Sequence, residues 1–201
     1  GRDRIRDFVG REDVLDRLRA YLSGGDPHPL VLHGVSGIGK SAVAAQAAFG
    51  LVQSAIHNAR RVGTLDASAR QFEMVSRFIG TTPTSSDLRS LLETLCQEIA
   101  LHYGEDAATV PADLRELIGD FPRRLALARA DRPLFLLLDA LDQLSPADGA
   151  HSLGWLPRQL PPHVRLIVSV LESNGPQGEC CRVLQQLVSP ENLVPIGPLS
   201  V

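Results

Sequence analysis

Eight consecutive residues, Gly34-Val35-Ser36-Gly37-Ile38-Gly39-Lys40-Ser41, constrain this chain more than any other segment. They satisfy the pattern G-x-x-x-x-G-K-S/T without a gap, and that pattern builds a loop for phosphate. Gly34, Gly37 and Gly39 let the backbone turn tightly and turn successive N–H groups toward an anion. Lys40 can reach outer phosphates, and the Ser41 hydroxyl can hold Mg²⁺. Such a loop has to join a strand to a helix, and the flanks comply. Leu30-Val31-Leu32-His33 is a short apolar run that reads as a buried strand. Residues 41–48, rich in alanine and including Ala42, favour a helix, whose N-terminal partial charge adds to the phosphate site.

Composition narrows the rest. A chain of 201 residues is long enough for one α/β domain with a substantial core. Its formal charge of −3 and its 4% aromatic content give no direct sign of a nucleic-acid surface. The pairs Arg60-Arg61 and Arg123-Arg124 read as solvated surface. Cys96, Cys180 and Cys181 form no C-x-x-C pair, which argues for a reducing compartment and against a disulfide frame or a zinc site. The six histidines are scattered. No apolar signal core follows the charged start Gly1-Arg2-Asp3-Arg4, and the strongest apolar run, 134–138, is far too short to span a bilayer. The expectation is a soluble, intracellular protein without a membrane partner.

Periodicity places the elements. Residues 11–22 carry Val14, Leu15, Leu18, Tyr21 and Leu22 at helical spacing, and Gly24-Gly25-Asp26-Pro27 ends that helix. Residues 57–70 are polar and mixed and receive no assignment. Residues 73–80 read as a strand and 81–86 as a turn with an N-cap at Ser85 or Ser86. Residues 87–103 form an amphipathic helix with Leu88, Leu91, Leu92, Leu95 and Ile99 on one face. Residues 112–129 are a second helical region, kinked or split by Pro122. The run 134–139 is apolar throughout until its terminal acid, which suits the middle of a parallel sheet. A strand over 164–170, a helix over 180–188 and a short strand over 193–196 complete the pattern. Strands alternating with helices predict an α/β fold of three layers, a central and mostly parallel sheet flanked by helices.

A phosphate loop that uses Mg²⁺ needs an acid as well, since the ion takes one or two carboxylates besides phosphate oxygens. Asp139 ends an apolar strand, where α/β sheets bind ligands, and is the candidate Walker B acid. Asp142 lies three residues on and is a candidate for polarising an attacking water. Gln143 can orient a water but is a poor proton acceptor.

These segments together resemble the STAND branch of P-loop ATPases, and its NACHT family in particular. The resemblance rests on Phe8-Val9-Gly10-Arg11-Glu12, the loop from Gly34 to Ser41, Arg77-Phe78-Ile79-Gly80-Thr81-Thr82, Leu136-Leu137-Leu138-Asp139-Ala140-Leu141-Asp142-Gln143-Leu144, and Leu156-Pro157-Arg158-Gln159-Leu160-Pro161 with 164–169. It covers almost the whole chain and looks most like the NACHT modules of large proteins that carry WD40 or tetratricopeptide repeats, including the telomerase-associated ones. The resemblance implies a nucleotide-held switch that binds ADP when closed, exchanges it for ATP on a signal, and then self-associates. It implies that 1–201 is the nucleotide-binding core of a larger protein, whose helical, winged-helix and repeat domains would be partners. It also places Val9 and Arg11 against the adenine.

Two departures bear on turnover. Many NACHT domains carry an acid pair where this chain has Asp142-Gln143. Many STAND proteins carry an Arg where this chain has Ser169, a weaker phosphate sensor than a cation. Both predict slow hydrolysis. Charge-stabilising arginines can come from another domain or subunit, with Arg123, Arg124 and Arg158 as candidate donors. The alternatives are a scaffold that binds nucleotide without turnover, and a P-loop kinase or GTPase. The chain has no N-K-x-D for guanine, and no lid of a kinase is identifiable.

Overall fold

The computed structural model describes residues 12–46, 50 and 72–198. In chain order these form helix α1 (Glu12–Ser23), strand β1 (Leu30–Gly34), helix α2 (residues 40–46), strand β2 (Glu73–Phe78), helices α3 (Leu88–His102) and α4 (Leu114–Leu125), strand β3 (Leu134–Asp139), strand β4 (Val164–Leu171), helix α5 (Glu179–Leu187) and strand β5 (Leu193–Pro195). The strands form one sheet in the order β2-β3-β4-β1-β5, and every pairing is parallel.

Alternation along each strand explains the three layers. Successive side chains of a strand point to opposite faces. Leu136 and Leu138 enter one core cluster while Leu137 enters another. Val31 joins the first cluster, and its neighbours Leu30 and Leu32 join the second. Leu166, Val168 and Val170 go one way and Ile167 the other. Leu92, Leu95 and Ile99 of α3, Leu117, Phe121 and Leu125 of α4, and Cys180 and Leu184 of α5 cover the first face. Val14, Leu15, Leu18, Tyr21 and Leu22 of α1, with Val43 and Ala44 of α2, cover the second. Both faces of the central strands are therefore dry, which is why 134–139 reads as unbroken hydrophobicity.

The chain departs from the sequence reading at several element ends. The strand predicted over 73–80 stops at Phe78, because Gly80 turns with φ +83° and the Ile79 N–H donates to the Asp139 carbonyl at 3.1 Å. The cap of α3 is Asp87, whose carboxylate accepts from the Ser90 N–H at 2.7 Å. Ser85 instead closes a capping box with Thr82 around the short 3₁₀ turn Pro83–Ser86. Helix α4 is shorter than 112–129. Asp113 caps it by accepting from the N–H groups of Arg115 and Glu116. Pro122 lies in its last turn and does not split it, since only one helical hydrogen bond is forfeited so near the end. Arg124 is not solvated surface. It is 8% exposed, its Nε donates to Asp120 at 2.8 Å, and a second guanidinium nitrogen donates to the Thr109 hydroxyl.

The amino edge of the sheet is pinned by charge. Glu73, 7% exposed, accepts from Arg132 at 2.5 Å through one oxygen and meets His102 Nδ1 at 2.5 Å through the other. Arg132 and Arg129 also lie against the Tyr103 ring, at 5.6 and 6.0 Å from its centroid. Cys96, Cys180 and Cys181 are buried free thiols. Among the described residues no helix is long and apolar enough to cross a membrane.

The Asp87 cap gives a test of α3. Its hydrogen bonds to Ser90 hold the carboxyl below the usual carboxylate value. Stabilisation from a carboxylate depressed in this way is complete above the unfolded value, about 3.9, and is lost as pH falls through the lower folded value. Asp87→Ala is expected to cost about 1 kcal/mol at neutral pH. The gap between the two proteins should close below about pH 4 in paired melting curves; a gap that persists there would refute the assignment.

Candidate functional site

The candidate site lies along the carboxyl edge of the sheet, where β1, β4 and β3 end side by side. Gly34 is the last residue of β1, and its carbonyl is a junction. It accepts from Lys40 Nζ at 2.9 Å and from the Glu172 N–H, just past β4, at 3.1 Å. Lys40 Nζ also donates to the Val35 carbonyl at 3.0 Å. The lysine thus closes its own loop. Gly37 and Gly39 have φ of +73° and +94°, conformations that glycine adopts without strain. Gly34 is needed for a different reason. A Cβ there would stand 2.6 Å from the carbonyl oxygen of Ile196. The same approach lets the Ile196 N–H donate to the His33 carbonyl at 2.7 Å.

Along the loop the burial differs by residue. Val35, Ser36 and Gly37 are exposed, and so are Ser41 and Ala42. Val35 is 58% exposed, unusual for a large apolar side chain. Ile38 is half-buried and packs against the second core cluster. The first helical hydrogen bond runs from the Val43 N–H to the Gly39 carbonyl at 3.1 Å, so the helix begins where the loop ends. Val9 and Arg11 lie outside the described residues.

Asp139 closes β3 and is 4% exposed. Its Oδ1 accepts from the Ser169 hydroxyl of β4 at 2.5 Å, and that hydroxyl accepts in turn from the Ala140 N–H at 2.8 Å. Ala140 sits in the left-handed region at φ +61°, which swings the following residues back over β4. Asp142 then accepts from the Leu171 N–H at 2.7 Å through Oδ1 and from the Gln143 side-chain amide at 2.8 Å through Oδ2. The structure therefore brings Lys40, Asp139 and Asp142 into one electrostatic neighbourhood. Burial pulls the Lys40 ammonium below its usual value, and the charges of Asp142 and Asp139 oppose that pull.

The oxygen donors suit a hard cation such as Mg²⁺. Among the described residues, the Asp139 Oδ2 accepts no hydrogen bond, and the Ser41 hydroxyl is exposed. Of the candidate arginines, Arg123 and Arg158 are exposed, whereas Arg124 is committed to Asp120 and Thr109.

Sequence reasoning missed two features. The Ser169 hydroxyl donates to the Asp139 carboxylate, a contact the sequence reading did not foresee. Its signal was a lone hydroxyl inside the apolar strand Val164–Leu171, where a buried polar group requires a partner. Glu172 was passed over, yet its N–H holds Gly34 and its carboxylate meets His33 Nδ1 at 3.0 Å.

Comparison with known proteins agrees with this fold. Residues 7–169 match the family described as the AAA ATPase domain. NACHT domain- and WD repeat-containing protein 1 of Homo sapiens is 33% identical over 204 residues, covering 98% of this chain and 12% of that protein. NACHT and WD repeat domain-containing protein 2 of Mus musculus is 43% identical over 98 residues, covering 49% of this chain and 6% of that protein. The chain therefore spans about an eighth or less of the length of these relatives. Among solved structures, the ORC1 protein of Aeropyrum pernix in complex with DNA superposes with a TM-score of 0.54 at 18% identity, over 94% of this chain and 44% of that one. At that identity the likeness concerns the fold. The chain belongs to the AAA ATPase domain family. It is a P-loop NTPase domain of the NACHT type.

The approach of Gly34 to Ile196 is directly testable. Gly34→Ala must push two backbones apart, and overpacking of this kind costs about 1–3 kcal/mol. A denaturant titration of that variant should show the loss, while Gly37→Ala, with no heavy atom near its Cβ, should owe its cost to backbone strain alone. Equal stability of Gly34→Ala and the parent would contradict the contact.

Proposed function

We propose that this domain is an ATP/ADP-binding regulatory switch that hydrolyses ATP slowly with Mg²⁺. The observation that carries the reading is the joint placement of Lys40 on its loop carbonyls and of Asp139 and Asp142 around it at the carboxyl edge of the sheet. Loop N–H groups from Gly34 to Ala42 and the Lys40 ammonium would take up phosphate charge, with Lys40 exchanging the Gly34 and Val35 carbonyls for phosphate oxygens. Ser41 and the Walker B acid Asp139 would hold Mg²⁺, which supplies charge neutralisation between phosphates. Val9 and Arg11 are proposed for the base.

Asp142 is proposed to orient the attacking water. Both of its oxygens already accept hydrogen bonds, from Leu171 and Gln143. Oxygens so engaged have less acceptor capacity left for a water, which supports slow rather than rapid turnover. The same bonds favour the second reading, a scaffold that binds nucleotide without turnover. Signal-dependent self-association, and helical, winged-helix and WD40 or tetratricopeptide-repeat partners within a larger intracellular protein, extend the proposal. They are supported by the similarity to NACHT and WD-repeat proteins.

Melting the domain with ATP, ADP or GTP, each with Mg²⁺, beside Lys40→Ala tests the binding half. Nucleotide at a hundred times its dissociation constant should add about 2.7 kcal/mol. The reading requires a rise with adenine nucleotides that Lys40→Ala abolishes; no rise in a folded protein would sink it. Phosphate release separates switch from scaffold. Asp142→Asn keeps an acceptor for Leu171 and should lower slow release by about 10²-fold, the usual share of a positioned base. No release from the parent would favour the scaffold, and release unchanged in Asp142→Asn would remove the role proposed for Asp142.

A further inference from the structure

We propose that Ser169 is a positioning residue that makes Asp139 a one-oxygen ligand and thereby sets the cation preference of the nucleotide site; the inference rests on the nucleotide reading above. Asp139 offers two oxygens, and Oδ1 is taken by the Ser169 hydroxyl at 2.5 Å. The direction of that bond is fixed. A hydroxyl has one proton, and a carboxylate can only accept. The Ala140 N–H, at 2.8 Å, donates into the Ser169 oxygen, so the single proton is left for Asp139. Water does not compete, since Ser169 is 1% and Asp139 4% exposed. Ser169 itself is held on β4 between Val168 and Val170, both fully buried. One lone pair of Oδ1 is thus taken from inside the protein, while Oδ2 accepts no hydrogen bond among the described residues.

That division discriminates between ions. Mg²⁺ demands near-octahedral geometry, keeps several waters and is served by single carboxylate oxygens. Ca²⁺ takes more oxygens and readily grips a carboxylate through both. With Oδ1 holding the Ser169 proton, a two-oxygen grip has to compete with that hydrogen bond, so Ca²⁺ is weakened at a ligand that Mg²⁺ does not need. Ser169 touches neither nucleotide nor metal in this account and acts only through Asp139.

The test measures affinity for ADP bearing a fluorescent ribose label, in EDTA, in Mg²⁺ and in Ca²⁺. The proteins are the parent, Ser169→Ala, Ser169→Thr and Lys40→Ala, each checked for folding by circular dichroism. The parent should bind more tightly with Mg²⁺ than with Ca²⁺. Ser169→Ala should lose about tenfold of the Mg²⁺-dependent gain, the usual effect of removing a partner of a metal ligand. Its affinity in EDTA should stay at the parent value, so the Mg²⁺/Ca²⁺ ratio collapses, and Ser169→Thr should restore it. A ratio unchanged in Ser169→Ala overturns the proposal. So does an equal loss in EDTA, Mg²⁺ and Ca²⁺, which assigns Ser169 to loop structure alone. If Ser169→Ala does not fold, Ser169→Cys, a weak donor of similar size, should give an intermediate ratio, and a parent-like ratio overturns the proposal. A folded parent that binds no ADP under any condition removes the nucleotide reading and this inference with it, an outcome distinct from any change in ratio.

Discussion

Strand β4 is wedged between the strand that launches the phosphate loop and the strand that ends in Asp139, and the site depends on that spacing. Loop and acid are not neighbours in the sheet, so whatever holds them in register has to pass through β4. Three positions at its end do so. Ser169 donates to Asp139, the Leu171 N–H donates to Asp142, and the Glu172 N–H donates to the Gly34 carbonyl. The sheet pairing that aligns Gly34 with Leu171 makes these contacts consecutive rather than accidental. Shifting β4 by one residue would exchange its Leu166, Val168 and Val170 face with the unlike face that carries Ile167 and Ser169, so packing against two different layers fixes the polar register.

At this edge the charged side chains are held by uncharged partners. Lys40 is half-buried and satisfies two donors on carbonyls of its own loop. Asp139 and Asp142 are each held by neutral donors. Hydrogen bonds to charged groups contribute about 1.5–3 kcal/mol each, less than a buried ion pair, so a phosphate that offers Lys40 charged oxygens can replace its two carbonyls. The amino edge is built differently. There Glu73 is buried between Arg132 and His102, and Asp120 is buried against Arg124. Removing one partner of such buried pairs typically costs about 3–5 kcal/mol. Firm charge pairing at one end of the sheet and exchangeable bonds at the other suit a platform that stays still while its binding edge adjusts.

Much of this was legible in the residues. The loop pattern and the apolar run ending at Asp139 fixed both ends of the site, because glycine geometry and two-sided burial leave plain marks on local sequence. The face of α3 with Leu88, Leu91, Leu92, Leu95 and Ile99 is buried as its spacing required. What stayed hidden depends on contacts between distant segments. Nothing local ties Ser169 to Asp139 thirty positions away, or Arg124 to Thr109 across a turn. The cap at Asp87 was hidden for another reason: Ser85, Ser86 and Asp87 are all competent caps, and the 3₁₀ turn Pro83–Ser86 consumes the serines first.

The turn after β2 carries the logic of the edge one strand further. Gly80 is left-handed, and a Cβ on it would lie 2.9 Å from the Cβ of Gln143. The Ser145 N–H donates to the Ser86 carbonyl at 2.7 Å, so the segments after β2 and β3 are fastened to each other as well. Gln143 is thus held from one side by Gly80 and reaches Asp142 with its amide on the other. A residue that looked in sequence like a failed second acid is, in the fold, the link between the β2 turn and a carboxylate whose charge acts on Lys40. A second carboxylate there would set like charge beside Asp142 and lose the amide donor that steadies it. Glutamine at this position therefore gives up a second acid for a fixed geometry, as the switch reading proposed above requires.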